Sequence, residues 1–174
     1  GPSALFATDA FKDFRGCEKW VLEWVCRRLR EVPPTAAPRV MPALVKRLER
    51  MLEGDDFKDG IGRSVVKVAG RFSSGFDDLL PLIVKHRDNP SLASLLSFLP
   101  DDEYPGSPEF EKVMWDTFES SNVTKVKEDA ASIVANRMSD PGVRDKLTAI
   151  LWTQSEVVRA GIVGAMQRCD AKDV

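Results

Sequence analysis

The chain has 174 residues, 43% of them hydrophobic and 30% charged, and its formal net charge is −2. This composition is typical of one globular domain and excludes a largely disordered chain. The small net charge excludes a global electrostatic attraction to nucleic acid or to anionic membranes. Because no apolar run approaches the roughly 18 residues of a membrane span and no signal peptide is evident, we predict a cytoplasmic or nuclear protein without membrane contact.

The first three residues, Gly1-Pro2-Ser3, resemble the scar of a protease-cleaved expression tag. We expect residues 4–174 to form a single helical domain that is a fragment of a longer protein. The three cysteines, at positions 17, 26 and 169, are odd in number and lack metal-ligand spacing. We therefore expect reduced thiols that pack as small hydrophobic side chains.

Apolar residues recur at helical spacing along the chain, and no segment shows the two-residue alternation of a half-buried strand. Proline-rich connectors over residues 32–38 and 100–108 interrupt the pattern. The sequence therefore predicts an all-α fold of eight or nine helices, which cover about residues 8–31, 39–53, 61–72, 79–84, 92–99, 108–118, 126–138, 143–151 and 156–169.

Polar residues precede several of these segments and can cap a helix start by accepting a hydrogen bond from a free backbone N–H. Pro108 lies just inside one such start, a position that proline favours. Gly75 permits the left-handed backbone that we expect at the end of helix 61–72. The predicted caps are Thr8 or Asp9, Asp77 or Asp78, Ser91, Ser107 and Ser155.

A repeat is visible in the second helix of each predicted pair. Three such segments end in arginine after an apolar stretch rich in small residues, at Arg71, Arg137 and Arg168. The first two arginines are two periods of 33 apart, and the third follows 31 positions later. A period near 33 with two helices per unit is typical of a helical solenoid. The four segments are residues 65–71, 92–98, 131–137 and 162–168.

The last unit carries a family resemblance. Val157-Val158-Arg159-Ala160, followed by Ile162 and Val163, resembles a HEAT or armadillo-type repeat, and Met41-Pro42-Ala43-Leu44-Val45 is similar to the first helix of one. The resemblance covers about residues 39–169 and implies antiparallel helix pairs stacked in a superhelix, with helix 8–31 at its N-terminal end. The pairs also resemble MIF4G-type domains of translation and RNA-processing factors. A non-repetitive helical bundle is the alternative architecture.

The sequence contains no recognisable catalytic or cofactor-binding motif. It has no phosphate-binding glycine loop and no Ser-His-Asp set. The single histidine, His86, lies at a predicted helix end beside Lys85 and Arg87, where we expect it to be solvated or to complement the helix dipole. We therefore predict that the protein is not an enzyme and has no cofactor and no metal site.

A remote alternative is enzymatic. Trp152-Thr-Gln-Ser155 with Arg159 is similar to a segment of the HEAT-like alkylpurine DNA glycosylases. The resemblance implies a catalytic aspartate, for which Asp116 beside Trp115 is the candidate.

Tryptophan is enriched in binding hot spots, so each of the four tryptophans is a candidate contact residue. Helical spacing predicts that Trp24, Trp115 and Trp152 lie in the core. Trp20 lies off the apolar stripe of the first helix, and we expect it to be an exposed anchor.

The predicted function is a non-catalytic scaffold or adaptor domain that binds a peptide or helix of another protein, because solenoids form extended concave surfaces. We expect arginines at equivalent helix ends to form a basic ladder, with Glu128 and Asp140 as possible carboxylate partners. The simpler alternative is that each arginine satisfies carbonyls at its own helix end. RNA or an RNA-bound protein is the alternative partner. The predicted binding residues are Trp20, Lys67, Arg71, Arg137 and Arg168.

Overall fold

The computed structural model describes residues 19–54, 61–72, 74–99, 107–136 and 140–170, with the side chains of 19–22, 74–75 and 168–170 outside the description. This part of the chain contains helices and no strand, which confirms the all-α prediction. Three short 3-10 helices, at Pro34–Ala36, Ser74–Leu79 and Leu151–Thr153, join some of the α-helices. The nine α-helices described are α1 Lys19–Leu29, α2 Ala37–Gly54, α3 Ile61–Phe72, α4 Leu80–Lys85, α5 Ser91–Phe98, α6 Pro108–Ser120, α7 Thr124–Ala135, α8 Pro141–Ile150 and α9 Glu156–Asp170.

Side-chain caps determine where the later helices begin. The hydroxyl of Ser107 accepts a hydrogen bond from the backbone N–H of Phe110 at 3.1 Å, and Pro108 occupies the first turn of α6. Ser155 accepts from the N–H of Val158 at 3.4 Å at the start of α9. Both caps were predicted, and both are confirmed.

Two other predicted caps are wrong. The backbone N–H of Ser91 donates to Oδ1 of Asn89 at 2.9 Å, so Asn89 caps α5 and Ser91 is inside the helix. α4 has no side-chain cap, because the 3-10 helix Ser74–Leu79 leads directly into it and places Asp77 and Asp78 within a helical turn. Oδ1 of Asp77 instead accepts a hydrogen bond from the hydroxyl of Ser107 at 2.5 Å.

A residue other than the predicted Gly75 has a left-handed backbone after α3. Phe76, the residue after Gly75, has a φ of 63°. Its side chain is buried in the core, where its ring lies 6.5 Å from that of Phe110. Burial of the ring is the interaction that can offset the cost of this backbone conformation.

The helix contacts follow a regular order. α1 packs on α3, α3 on α5, α5 on α7 and α7 on α9, while α2 packs on α3 and α6 packs on both α4 and α7. One continuous apolar core runs through these contacts. Among its fully buried members are Leu29, Leu48, Leu52, Ile83, Leu95 and Phe118. Within the described ranges, no helix is both long and apolar enough to cross a membrane.

Candidate functional site

Three exposed cations lie along one side of α3, and we call Arg63, Lys67 and Arg71 the basic row. Residues four apart lie on one face of a helix, and the opposite face of α3 is buried in the core. The helix contains no acidic residue that could neutralise the row from within. Lys67 and Arg71 were predicted as binding residues. Arg63 was missed, although its spacing of four residues from Lys67 is visible in the sequence.

An aromatic side chain borders the basic row. The guanidinium carbon of Arg63 lies 5.2 Å from the centroid of the Phe98 ring, within the range of a cation–π contact. Phe98 ends α5, which packs on α3, and its side chain is half-buried. The surface therefore combines positive charge with a partly accessible ring.

The other predicted binding residues fall where side chains are not described. Trp20 belongs to α1 and Arg168 to α9, but both side chains lie outside the description, and Arg137 lies outside the described residues altogether. The ladder across several helices therefore stays a prediction. Of its expected carboxylate partners, Asp140 accepts from the N–H of Gly142 at 2.8 Å, and Oε1 of Glu128 lies 3.3 Å from Nζ of Lys125.

Two of the three tryptophans predicted in the core are exposed. Trp115 is buried, with 7% of its surface accessible, but Trp24 is 46% and Trp152 is 76% exposed. Trp152 lies in the 3-10 helix Leu151–Thr153 that follows α8, five residues after Leu147 and nine after Val143, so helix geometry places it away from their buried face. On the exposed side, the guanidinium carbon of Arg159 lies 5.8 Å from the Trp152 ring centroid. Trp24 has a similar contact with Arg28 at 5.7 Å.

An open groove of about 570 Å³ lies between α6 and α8. Trp115 lines it, and Nζ of Lys146 lies 3.8 Å from the Trp115 ring centroid and 3.5 Å from Oε1 of Glu119. Asp116, the aspartate of the glycosylase alternative, also lines this groove, whereas Trp152 and Arg159 do not. Other charges of both signs line the groove, at Glu111, Lys112 and Asp140.

A small polar cluster joins α2 to the end of α4. Oε1 of Glu49 lies 2.5 Å from Nζ of Lys85 and 3.7 Å from Nε2 of His86. The hydrogen bond from Lys85, opposed in part by burial, holds the pKa of Glu49 below its usual value. His86 is not solvated as the first of the two predicted roles required, because only 11% of its side-chain surface is accessible, and the role at the helix dipole stays a prediction. His86 does lie at the end of α4, where its backbone N–H donates a hydrogen bond to the carbonyl of Leu82 at 3.1 Å.

No protein-family model matches the chain, and neither does any curated protein or solved structure.

Proposed function

We propose that the protein is a non-catalytic binding module of the cytoplasm or nucleus that holds an acidic peptide or helix of a partner protein against the basic row. The observation that carries this proposal is the placement of Arg63, Lys67 and Arg71 on one exposed face of a helix without acidic residues. Such a face offers up to three charge-assisted hydrogen-bonding groups to carboxylates spaced along a partner.

The row places like charges next to one another on α3. Like charges at a spacing of four destabilise a helix by roughly 0.2–0.5 kcal/mol for each pair. In the described part of the chain, no carboxylate forms an ion pair with Lys67 or Arg71. A partner that brings carboxylates to this face would remove the repulsion as well as add attraction, which favours a binding role for the row.

The HEAT or armadillo-type architecture, or its MIF4G-like variant, is part of the same proposal. The order of contacts from α1 through α3, α5 and α7 to α9 is compatible with stacked helix pairs. In such a stack, alternate helices form one extended surface, and α3 would present the basic row along it. Phe98 adds an apolar contact beside the row, which suits an amphipathic peptide that carries both acidic and hydrophobic residues.

RNA is the alternative ligand for the same cations, since arginine and lysine bind phosphates as well as carboxylates. The net charge of −2 favours a short acidic peptide over RNA, because no global field attracts a polyanion.

The test compares two double charge reversals that change the net charge equally. Lys67→Glu with Arg71→Glu alters the row, whereas Arg39→Glu with Lys46→Glu alters exposed cations of α2. Fluorescence anisotropy would measure the affinity for a labelled amphipathic peptide of glutamate and leucine, and for a labelled oligouridylate. We expect the peptide to bind, and the row variant to weaken it about tenfold or more, equivalent to about 1.4 kcal/mol, while the α2 variant binds like wild type.

Equal weakening by both variants would mean that only net charge matters and would contradict the proposal. Oligouridylate binding with a steep dependence on salt, in the absence of peptide binding, would support the RNA alternative. Far-ultraviolet circular dichroism of both variants would establish that the helices remain folded.

A further inference from the structure

We propose that Glu49, Glu53 and His86 form a binding site for a divalent transition-metal ion such as Zn²⁺. One potential ligand atom from each of the three side chains lies within 4.8 Å of the other two. Imidazole nitrogen and carboxylate oxygen are both zinc ligands, whereas Ca²⁺ and Mg²⁺ prefer oxygen alone. The set therefore favours an ion of the zinc class, with water completing its coordination.

The backbone places the three ligands without distortion. Glu49 and Glu53 are four residues apart on α2, which puts their side chains on one face. His86 follows α4 directly and reaches the same place from another helix. Ligand atoms on a tetrahedral zinc ion are roughly 3.4 Å apart, so binding requires only side-chain rotation, which the exposed Glu53 allows.

His86 supplies an independent observation. Its Nε2 is buried and has no hydrogen-bond partner in the described part of the chain, and Oε1 of Glu49 is 3.7 Å away, too far for a hydrogen bond. Buried polar atoms are nearly always satisfied, and each exception calls for an explanation. A metal ion bound between the imidazole and the two carboxylates would satisfy this nitrogen.

Lys85 is a cation that already contacts one of the proposed ligands. Its ammonium group contacts Oε1 of Glu49, yet 61% of its side chain is accessible, so it can swing into solvent when an ion binds. Lys85 and the metal therefore compete for Glu49. Removal of the lysine charge should tighten metal binding, a result that a purely structural ion pair between α2 and α4 would not produce.

Nuclear magnetic resonance provides a direct test, because the chain contains one histidine and its imidazole gives a single set of signals. The full chain would be freed of metal and titrated with ZnCl₂, and with MgCl₂ for comparison. We expect the His86 signals to shift to a 1:1 end point with zinc and to remain unchanged with magnesium.

Variants then assign the ligands. We expect Glu53→Gln to weaken zinc binding about tenfold or more, Lys85→Met to strengthen it severalfold, and the control Glu156→Gln, at an exposed site on α9, to leave it unchanged. Glu53 is exposed, so its substitution should not impair folding even if His86→Ala does. Zinc binding that leaves the imidazole signals unmoved would point to the thiols and overturn the proposal. A weaker affinity of Lys85→Met for zinc would contradict the proposed competition between Lys85 and the ion for Glu49.

Discussion

The ring of Phe76 occupies the space that a side chain at Gly70 would need. A Cβ atom built on Gly70 would lie 2.5 Å from Cε1 and 2.6 Å from Cζ of that ring. Gly70 lies within α3, and Phe76 is the buried residue with positive φ in the turn that follows. The ring therefore packs so close to the backbone of α3 that only glycine fits at position 70.

We expect Gly70→Ala to destabilise the protein by about 1–3 kcal/mol through overpacking. Helix propensity alone would predict a gain of up to about 1 kcal/mol from the same substitution. Urea unfolding of wild type and Gly70→Ala would measure the change in the free energy of unfolding. In a Phe76→Leu background, which lacks the clashing ring atoms, the cost of Gly70→Ala should shrink or change sign. An undiminished cost in that background would show that the ring is not its cause.

The sequence predicted the helices well where a local signal marks their ends. Ser107, which Pro108 follows, caps the start of α6, and Ser155, which precedes an apolar run, caps the start of α9. Both caps are contacts within four residues of the chain, so they are visible in the sequence. The prediction failed where the outcome depends on the rest of the fold. His86 could not be placed beside Glu49 from sequence, because that contact depends on how the fold brings the residue after α4 beside α2.

The structure also contradicts the predicted burial of Trp24 and Trp152. Trp152 was predicted to be buried, but it follows Leu147 by five residues, so even a continuous α-helix would not place it on the face of Val143 and Leu147. The basic row needed only the spacing of Arg63, Lys67 and Arg71, so this part of the site was available from the sequence. The 33-residue repeat predicted a ladder of arginines on different helices, whereas the basic row lies within the single helix α3.

Substitution of Trp115 by alanine should lower the free energy of unfolding much more than the same substitution of Trp152. Trp115 is buried, and Trp115→Ala should cost about 3–5 kcal/mol because it removes a large core side chain. Trp152 is 76% exposed and contacts Arg159, so Trp152→Ala should cost about 0.5 kcal/mol or less. Urea unfolding would be monitored by circular dichroism, because both substitutions remove a tryptophan and so alter the fluorescence signal. Similar costs for the two variants would contradict the exposed placement of Trp152.

Asn89 links two helices through one side chain. Its Oδ1 accepts from the N–H of Ser91, and its Nδ2 donates to the carbonyl of Leu52 at the end of α2, at 3.0 Å. We expect Asn89→Ala to lose both bonds and cost about 2 kcal/mol, and Asn89→Ser to keep the cap and cost about 1 kcal/mol. Thermal or urea unfolding would rank the stabilities of the two variants. Asn122→Ala, at an exposed position, is the control that we expect to be near neutral. Equal costs for the alanine and serine variants would mean that the cap contributes nothing, and a serine variant as stable as wild type would mean that the bond to Leu52 contributes nothing.

The thiol of Cys26 should make stability depend on pH in the alkaline range. Only 2% of Cys26 is exposed, and burial raises the pKa of its thiol from 9.0 to about 11, although Arg30 and Arg47 oppose the shift. Because the folded-state pKa is the higher one, the stabilising contribution is complete below pH 9 and is lost as the pH rises towards 11. The free energy of unfolding should fall by about 2–3 kcal/mol over this window.

Lysines and other groups also titrate in that range, so the informative quantity is the difference between wild type and Cys26→Ala. Urea unfolding at pH 8 and at pH 10.5 should show a stability difference between the two proteins that narrows at the higher pH, since the alanine variant has no thiol to ionise. Iodoacetamide at pH 8 should leave Cys26 unmodified in the folded protein and alkylate it in urea, as followed by peptide mass spectrometry. A stability difference that stays constant with pH would show that the thiol ionises as easily in the folded protein as in the unfolded chain.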